Sequence, residues 1–122
     1  MAAYGTELGM DQETAFKIAA AFGGGIGKTG ATCGAVTGAL MIIGLKYGAA
    51  DAADKKSKET VYDLAAGFMR DFKARNGSVI CQDLLGFNIS SAGGPETHVI
   101  ISQRCPGFIK DAADIIEQQL RS

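Results

Sequence analysis

Three cysteines, Cys33, Cys81 and Cys105, are the residues of this chain best suited to chemistry. Cys33 lies at the start of an apolar helical run, and Cys81 lies in a short helical segment that starts at Ser78. Cys105 stands directly before Pro106, and proline is favoured in the first turn of a helix. The unpaired N–H groups and the positive dipole at a helix start stabilise a thiolate, which lowers the thiol pKa from about 8.5. The sequence therefore predicts three reactive thiols at helix starts.

Three such thiols are compatible with two classes of chemistry. In the first, they alternate between dithiol and disulfide, with Cys33 as the attacking thiolate and Cys81 or Cys105 as the resolving one. In the second, Cys33, Cys81 and Cys105 bind zinc or an iron–sulfur cluster as an electron carrier or metal-binding module. No C-x-x-C pair is present, so neither a thioredoxin-type motif nor a zinc knuckle is indicated. The fold must therefore bring the three thiols together.

A third interpretation involves no chemistry. Free cysteine is often a small buried hydrophobic residue, and the chain would then be a non-catalytic helical packing domain. The only histidine, His98, is typical of a surface residue, although it could complete a ligand set. We expect the three cysteines to converge at one end of a helical bundle. This convergence would distinguish the chemical interpretations from the packing interpretation, which does not require it.

The helix that must position Cys33 lies in the stretch from Gly23 to Tyr47, GGGIGKTGATCGAVTGALMIIGLKY. It reads as a glycine-rich turn followed by a helix from Thr32 to Tyr47 that is apolar nearly all round, which predicts a buried central helix. Gly34 and Gly38 share one helix face. Because glycine destabilises a helix interior by roughly 1 kcal/mol relative to alanine, we expect that face to be closely approached by a neighbouring helix.

The other helices follow from apolar periodicity and capping residues. One starts after Asp11, a long one covers residues 57–76, a short one contains Cys81, and the last is predicted to begin at Cys105–Pro106. The run Val99–Ile101 has no partner strand and is predicted to be extended. The sequence thus predicts an all-α, single-domain bundle of about four or five helices over residues 1–122.

Phosphate binding is an alternative for the glycine-rich turn. Gly25, Gly27 and Gly30 fit G-x-G-x-x-G, and Gly27-Lys28-Thr29 resembles the end of a P-loop. A dinucleotide-binding turn, however, follows a β-strand, whereas the segment ahead of this turn has helical periodicity. A tightly packed corner between two helices is the favoured interpretation.

The motif C-G-A-V-T-G at Cys33–Gly38, with the glycines that precede it, resembles the small bacterial and archaeal family named for its C_GCAxxG_C_C pattern. The later cysteines of the family match Cys81 and Cys105, and the resemblance covers most of the chain. It implies redox activity. The first family cysteine lies in a helix ahead of the position where this chain begins, so we expect an incomplete four-cysteine site. Four is the usual ligand number for structural zinc or an iron–sulfur cluster.

Composition excludes several other classes. The net charge is −1, with 20% charged residues and no basic cluster, so nucleic acid is not an expected partner. The longest apolar run is shorter than the roughly 20 residues that span a membrane. No signal peptide is recognisable, and three cysteines are compatible with a reducing compartment, so we expect a cytoplasmic protein. The partner would be a redox partner of unknown identity, and a homo-oligomer is compatible with the sequence.

Overall fold

The computed structural model describes residues 2–6, 8–23, 25–49, 51, 53–86 and 95–121. These residues form only helices, turns and one isolated β-bridge, which confirms the predicted all-α class. No helix among them is both long and apolar enough to cross a membrane. The helices, in chain order, are α1 (Ala2–Gly5), α2 (Gln12–Ala19), α3 (Gly34–Tyr47), α4 (Lys55–Asn76), α5 (Cys81–Leu85) and α6 (Pro95–Arg121), with a 3₁₀ turn, Ala20–Phe22, after α2.

Capping side chains account for the N-terminal starts of α2 and α4. The Asp11 carboxylate accepts a hydrogen bond of 3.0 Å from the Thr14 N–H, and Asp54 accepts one of 3.0 Å from the Ser57 N–H. Each bond satisfies a helix N–H that has no partner within its helix. The α4 helix ends at Gly77, which adopts the left-handed region with φ 87°. Its first residue is Lys55, next to the Asp54 cap, which is two residues earlier than the sequence predicted.

The central position predicted for α3 is confirmed by its packing. Helices α3, α4 and α6 all pack against one another. Their buried side chains form the apolar core. Its largest fully buried side chains are those of Val36, Ile42, Ile43, Phe68, Phe72, Ile115 and Ile116. Within it the Phe72 ring lies 6.0 Å from the Phe68 ring and 6.4 Å from the Phe108 ring. Aromatic pairs at such centroid separations are favourable in offset or tilted geometry.

Helix α6 corrects two sequence-based expectations. The predicted extended run Val99–Ile101 is helical, and Cys105–Pro106 lies inside the helix rather than at its start. The helix continues through Pro106 because its apolar spacing does: Ile101, Cys105 and Phe108 follow one another at three or four residues on one face. Helical packing of that face outweighs the hydrogen bond that proline cannot make. Gly93 and Gly94, which together with Pro95 predict a loop from the sequence, lie outside the described residues.

Candidate functional site

A short antiparallel bridge holds the segment ahead of α3 against the segment ahead of α5. Thr32 pairs with Ile80. The Cys33 N–H donates to the Val79 carbonyl at 2.8 Å, and the Cys81 N–H donates to the Ala31 carbonyl at 2.6 Å. Successive side chains in extended chain point to opposite faces. Cys33 and Cys81 therefore share the face of the bridge opposite to Thr32 and Ile80.

The glycine loop, residues 25–30, packs against this bridge. Gly25 has φ 68°. A Cβ atom at this position would lie 2.6 Å from the Cys81 Cβ and 2.7 Å from the Ala31 N. Only a residue without a side chain fits there. The loop glycine therefore allows the backbone to lie directly against Cys81, a role that the sequence motif did not reveal.

The structure does not favour phosphate binding by the glycine loop. The loop follows the 3₁₀ turn rather than a strand. Its backbone donors are already used: the N–H groups of Ile26, Gly27 and Lys28 donate to the carbonyls of Phe22, Ala21 and Gly23. A phosphate-binding loop must direct such N–H groups at the ligand. The corner interpretation is therefore the one that the hydrogen bonds support.

All three cysteines line one cavity of about 490 Å³, which we call the thiol cavity. Its walls come mainly from α3 and α6, together with the glycine loop and α5. The lining side chains and glycines are mostly small or apolar, and they include Gly34, Ala35, Gly38, Ala39, Ile42, Leu85, Ile101, Ile109, Ala112, Ala113 and Ile116. The three thiols are thus gathered from distant parts of the sequence into one apolar site, and each is present as a free cysteine.

The cavity also explains the small residues of α3. A Cβ atom at Gly34 would meet the Phe22 carbonyl oxygen at 3.4 Å, and Phe22 belongs to the 3₁₀ turn. Gly38 lines the thiol cavity. At Gly34 the expected close approach comes from the backbone of the 3₁₀ turn rather than from an α-helix. The approach expected at Gly38 stays a prediction.

Burial reverses the predicted direction of the thiol pKa values. Desolvation raises the pKa of Cys33, and the N–H groups of Ala35 and Val36 in the first turn of α3 oppose this only in part. Desolvation also raises the pKa of Cys81, with further contributions from charge repulsion by Cys33 and Cys105. For Cys105 the rise in pKa comes from desolvation and then from Cys33. Because like charges disfavour each other at short range, ionisation of Cys33 opposes ionisation of the other two thiols.

The helix environments of the cysteines differ from one another. Cys33 is the residue ahead of α3, which starts two residues later than predicted, and Cys81 is the first residue of α5. Both thus lie at a helix start, as the sequence predicted. Cys105 lies ten residues inside α6, so it has no helix start to stabilise its thiolate. It is also the least buried of the three, whereas Cys33 and Cys81 are buried.

Metal binding is the alternative use of the three cysteines. Among the described residues, no three His, Cys, Asp or Glu side chains are arranged so that they could hold a metal ion. His98 belongs to α6, but its side chain lies outside the described part, so its predicted surface position stays a prediction.

One residue beside the thiol cavity, Arg104, and one that lines it, Lys28, have roles that the sequence did not indicate. Arg104 Nη1 donates to the Leu84 carbonyl at 3.2 Å and to the Leu85 carbonyl at 3.3 Å. These bonds cap the end of α5 and fasten it to α6 beside Cys105. Lys28 is the one charged residue among the described residues that line the thiol cavity. Its position in a P-loop-like tripeptide pointed to phosphate rather than to an apolar cavity.

Comparison with known proteins gives one match. A family model described as "Putative redox-active protein (C_GCAxxG_C_C)" matches residues 1–119. No curated protein and no solved structure matches the chain.

Proposed function

Because the chain belongs to the C_GCAxxG_C_C family of putative redox-active proteins, we propose that its cysteines cycle between dithiol and disulfide. Cys33 is the attacking thiol and Cys81 the resolving one, with Cys105 as the third thiol of the site. The observation that carries this proposal is the lining of one cavity by all three thiols. The shared face of Cys33 and Cys81 on the bridge supports the choice of that pair.

The oxidation can be written with a small disulfide as the oxidant. The Cys33 thiolate attacks one sulfur of that disulfide, which forms a mixed disulfide and releases the first thiolate. The Cys81 thiolate then attacks the Cys33 sulfur, which forms the Cys33–Cys81 bond and releases the second thiolate. The protein loses two electrons and two protons, and the small disulfide is reduced to two thiols.

Local contacts support Cys33 as the attacking residue. The N–H groups of Ala35 and Val36 lower its pKa, in opposition to the larger effect of burial. For Cys81 and Cys105, burial and charge repulsion both act to raise the pKa. Since the thiolate is the nucleophile, the thiol with a stabilising contact is the better candidate for the first attack.

Controlled oxidation tests the proposal. We expect folded protein, incubated with oxidised dithiothreitol or glutathione, to lose two of its three thiols and to yield a Cys33–Cys81 cross-linked peptide by mass spectrometry. Cys105→Ser should form the same bond. Cys33→Ser and Cys81→Ser should not form it, although every variant should keep the helical circular dichroism of the native chain. If Cys33 and Cys81 stay unpaired after prolonged oxidation, the proposed chemistry is wrong.

A further inference from the structure

The thiol cavity is much larger than thiol chemistry alone needs. Its volume of about 490 Å³ lies within the range of about 300–1,000 Å³ that is typical of small-molecule sites. Disulfide formation between neighbouring cysteines requires only that two sulfur atoms meet. A cavity of this size next to the thiols indicates a place for a second molecule.

The walls favour an apolar occupant. On α3 the lining positions Ala35, Gly38 and Ala39 are all small. On α6 the lining combines small residues with bulky aliphatic ones, among them Ala112, Ala113 and Ile116. The part of the cavity between these two helices, which we call the slot, has few polar groups, and a polar peptide bound in it would lose hydrogen bonds to water without replacement. A mostly apolar molecule loses far fewer.

Two residues that line the cavity carry polar side-chain groups, Tyr4 and Lys28, and the Tyr4 hydroxyl already donates to Glu117 at 3.0 Å. Lys28 lines the cavity and is exposed, so its ammonium group can remain hydrated while it meets a ligand. An ammonium group donates hydrogen bonds and accepts none. The complementary ligand group is therefore an oxygen acceptor at one end of an apolar body.

We infer that the thiol cavity binds an apolar quinone, which accepts the two electrons released by Cys33 and Cys81. A quinone combines a flat apolar ring with carbonyl oxygens, and it takes up two electrons and two protons. The inference rests on the thiol chemistry proposed above and names the electron acceptor of that same site. A hydroperoxide would not need the volume. A polar disulfide such as oxidised glutathione can oxidise the thiols, but it does not account for the apolar walls of the cavity.

The reaction balances without any further reagent. The two S–H bonds of Cys33 and Cys81 are broken and one S–S bond forms between them. Both quinone carbonyl oxygens gain a proton, and the ring gains two electrons to give the hydroquinone. Lys28 donates to one carbonyl oxygen and stabilises the negative charge that develops there as electrons arrive.

Binding is tested separately from reaction by using decylubiquinone, whose fully substituted ring does not add thiols readily. The variant Cys33→Ser/Cys81→Ser/Cys105→Ser should bind this quinone, as followed by equilibrium dialysis and by amide chemical shifts at α3 and α6. Gly38→Leu, which fills the slot, should bind about tenfold more weakly or worse. Gly44→Leu is the matched control, because a side chain at Gly44 of the same helix meets open space, and it should bind as the parent does.

Reaction is followed by the loss of quinone absorbance and of free thiols. Reduced native protein should convert one equivalent of quinone and lose two thiols, while the triple serine variant converts none. Lys28→Met should bind quinone more weakly and, at saturating quinone, reduce it about tenfold more slowly or worse. Gly38→Leu should keep the helical circular dichroism of the native chain, so that its weaker binding reports on the slot.

The outcomes separate this inference from the proposed function. If the triple serine variant does not bind quinone, or if Gly38→Leu and Gly44→Leu bind equally well, the quinone site is refuted even when glutathione oxidises Cys33 and Cys81. If quinone binds but no oxidant joins those two cysteines, the proposed thiol chemistry fails and the electron transfer fails with it.

Discussion

Cys33 and Cys81 are held side by side by the main chain, because each donates its N–H to the segment that carries the other. The two hydrogen bonds, Cys33 N–H to the Val79 carbonyl at 2.8 Å and Cys81 N–H to the Ala31 carbonyl at 2.6 Å, need neither thiol. Replacing either cysteine with serine therefore leaves the bridge in place. Such variants report on sulfur chemistry rather than on folding.

Gly25 should be far less tolerant of a side chain than Gly27. Both have positive φ, at 68° and 59°, so alanine meets a backbone penalty of roughly 1–2 kcal/mol at either position. Only at Gly25 does the new Cβ also collide with Cys81 and with the backbone of Ala31. We expect Gly25→Ala to lose a further 1–3 kcal/mol or so of unfolding free energy relative to Gly27→Ala in denaturant titrations. Equal losses would show that the loop does not pack on Cys81.

Alkaline pH should destabilise the protein through its buried thiols. Burial raises the pKa of Cys33, Cys81 and Cys105 in the folded chain. Below the unfolded thiol pKa of about 8.5, the thiols are neutral in both states and their stabilising contribution is complete. As the pH rises further, the unfolded chain releases thiol protons first, so the unfolding free energy falls until the folded thiols also ionise.

The measurement for this pH effect is a series of denaturant titrations between about pH 7 and pH 10 under reducing conditions. The matched control is the triple serine variant, which keeps every other ionisable residue of the chain. The native chain should lose more stability than the control over the alkaline half of that range. A parallel decline in both proteins would contradict the role of thiol burial.

Phe72 should be among the most costly core residues to truncate. It is fully buried and contacts the rings of Phe68 and Phe108, so Phe72→Ala leaves a cavity between α4 and α6. A loss of about 3–5 kcal/mol in unfolding free energy is expected. Tyr62→Ala on the same helix is the control, since Tyr62 is 64% exposed and should change stability by about 0.5 kcal/mol or less.

Pro106 offers a direct test of the continuous α6 helix. Proline in a helix interior is unfavourable by about 3 kcal/mol relative to alanine, and part of this is offset because proline restricts the unfolded chain. Pro106→Ala should therefore raise the unfolding free energy by about 1–2 kcal/mol. If α6 began at Pro106 instead, as the sequence pattern suggested, the same substitution would bring no gain.

Local sequence was sufficient for most helix positions. The Asp11 cap, the Gly77 stop and the apolar run of α3 each act within a few residues, so their effects can be read without the fold. The prediction that a helix starts at Cys105–Pro106 was wrong because it also used only local information, namely the preference of proline for the start of a helix. The contact of Ile100 and Ile101 with Cys81 and Leu85, which favours a continuous α6, is a contact between distant segments.

The same distinction between local sequence and contacts of distant segments applies to the site. The sequence by itself determined the helical class, the three cysteines and the family to which their spacing belongs. Only the tertiary structure decided that these cysteines line one apolar cavity with Lys28, because that depends on the pairing of Thr32 with Ile80 and on the packing of α3 with α6. It also decided the direction of the thiol pKa shifts. A helix start favours the thiolate, but removal of water from around the sulfur disfavours it more strongly, and the extent of burial is set by contacts between segments far apart in the chain.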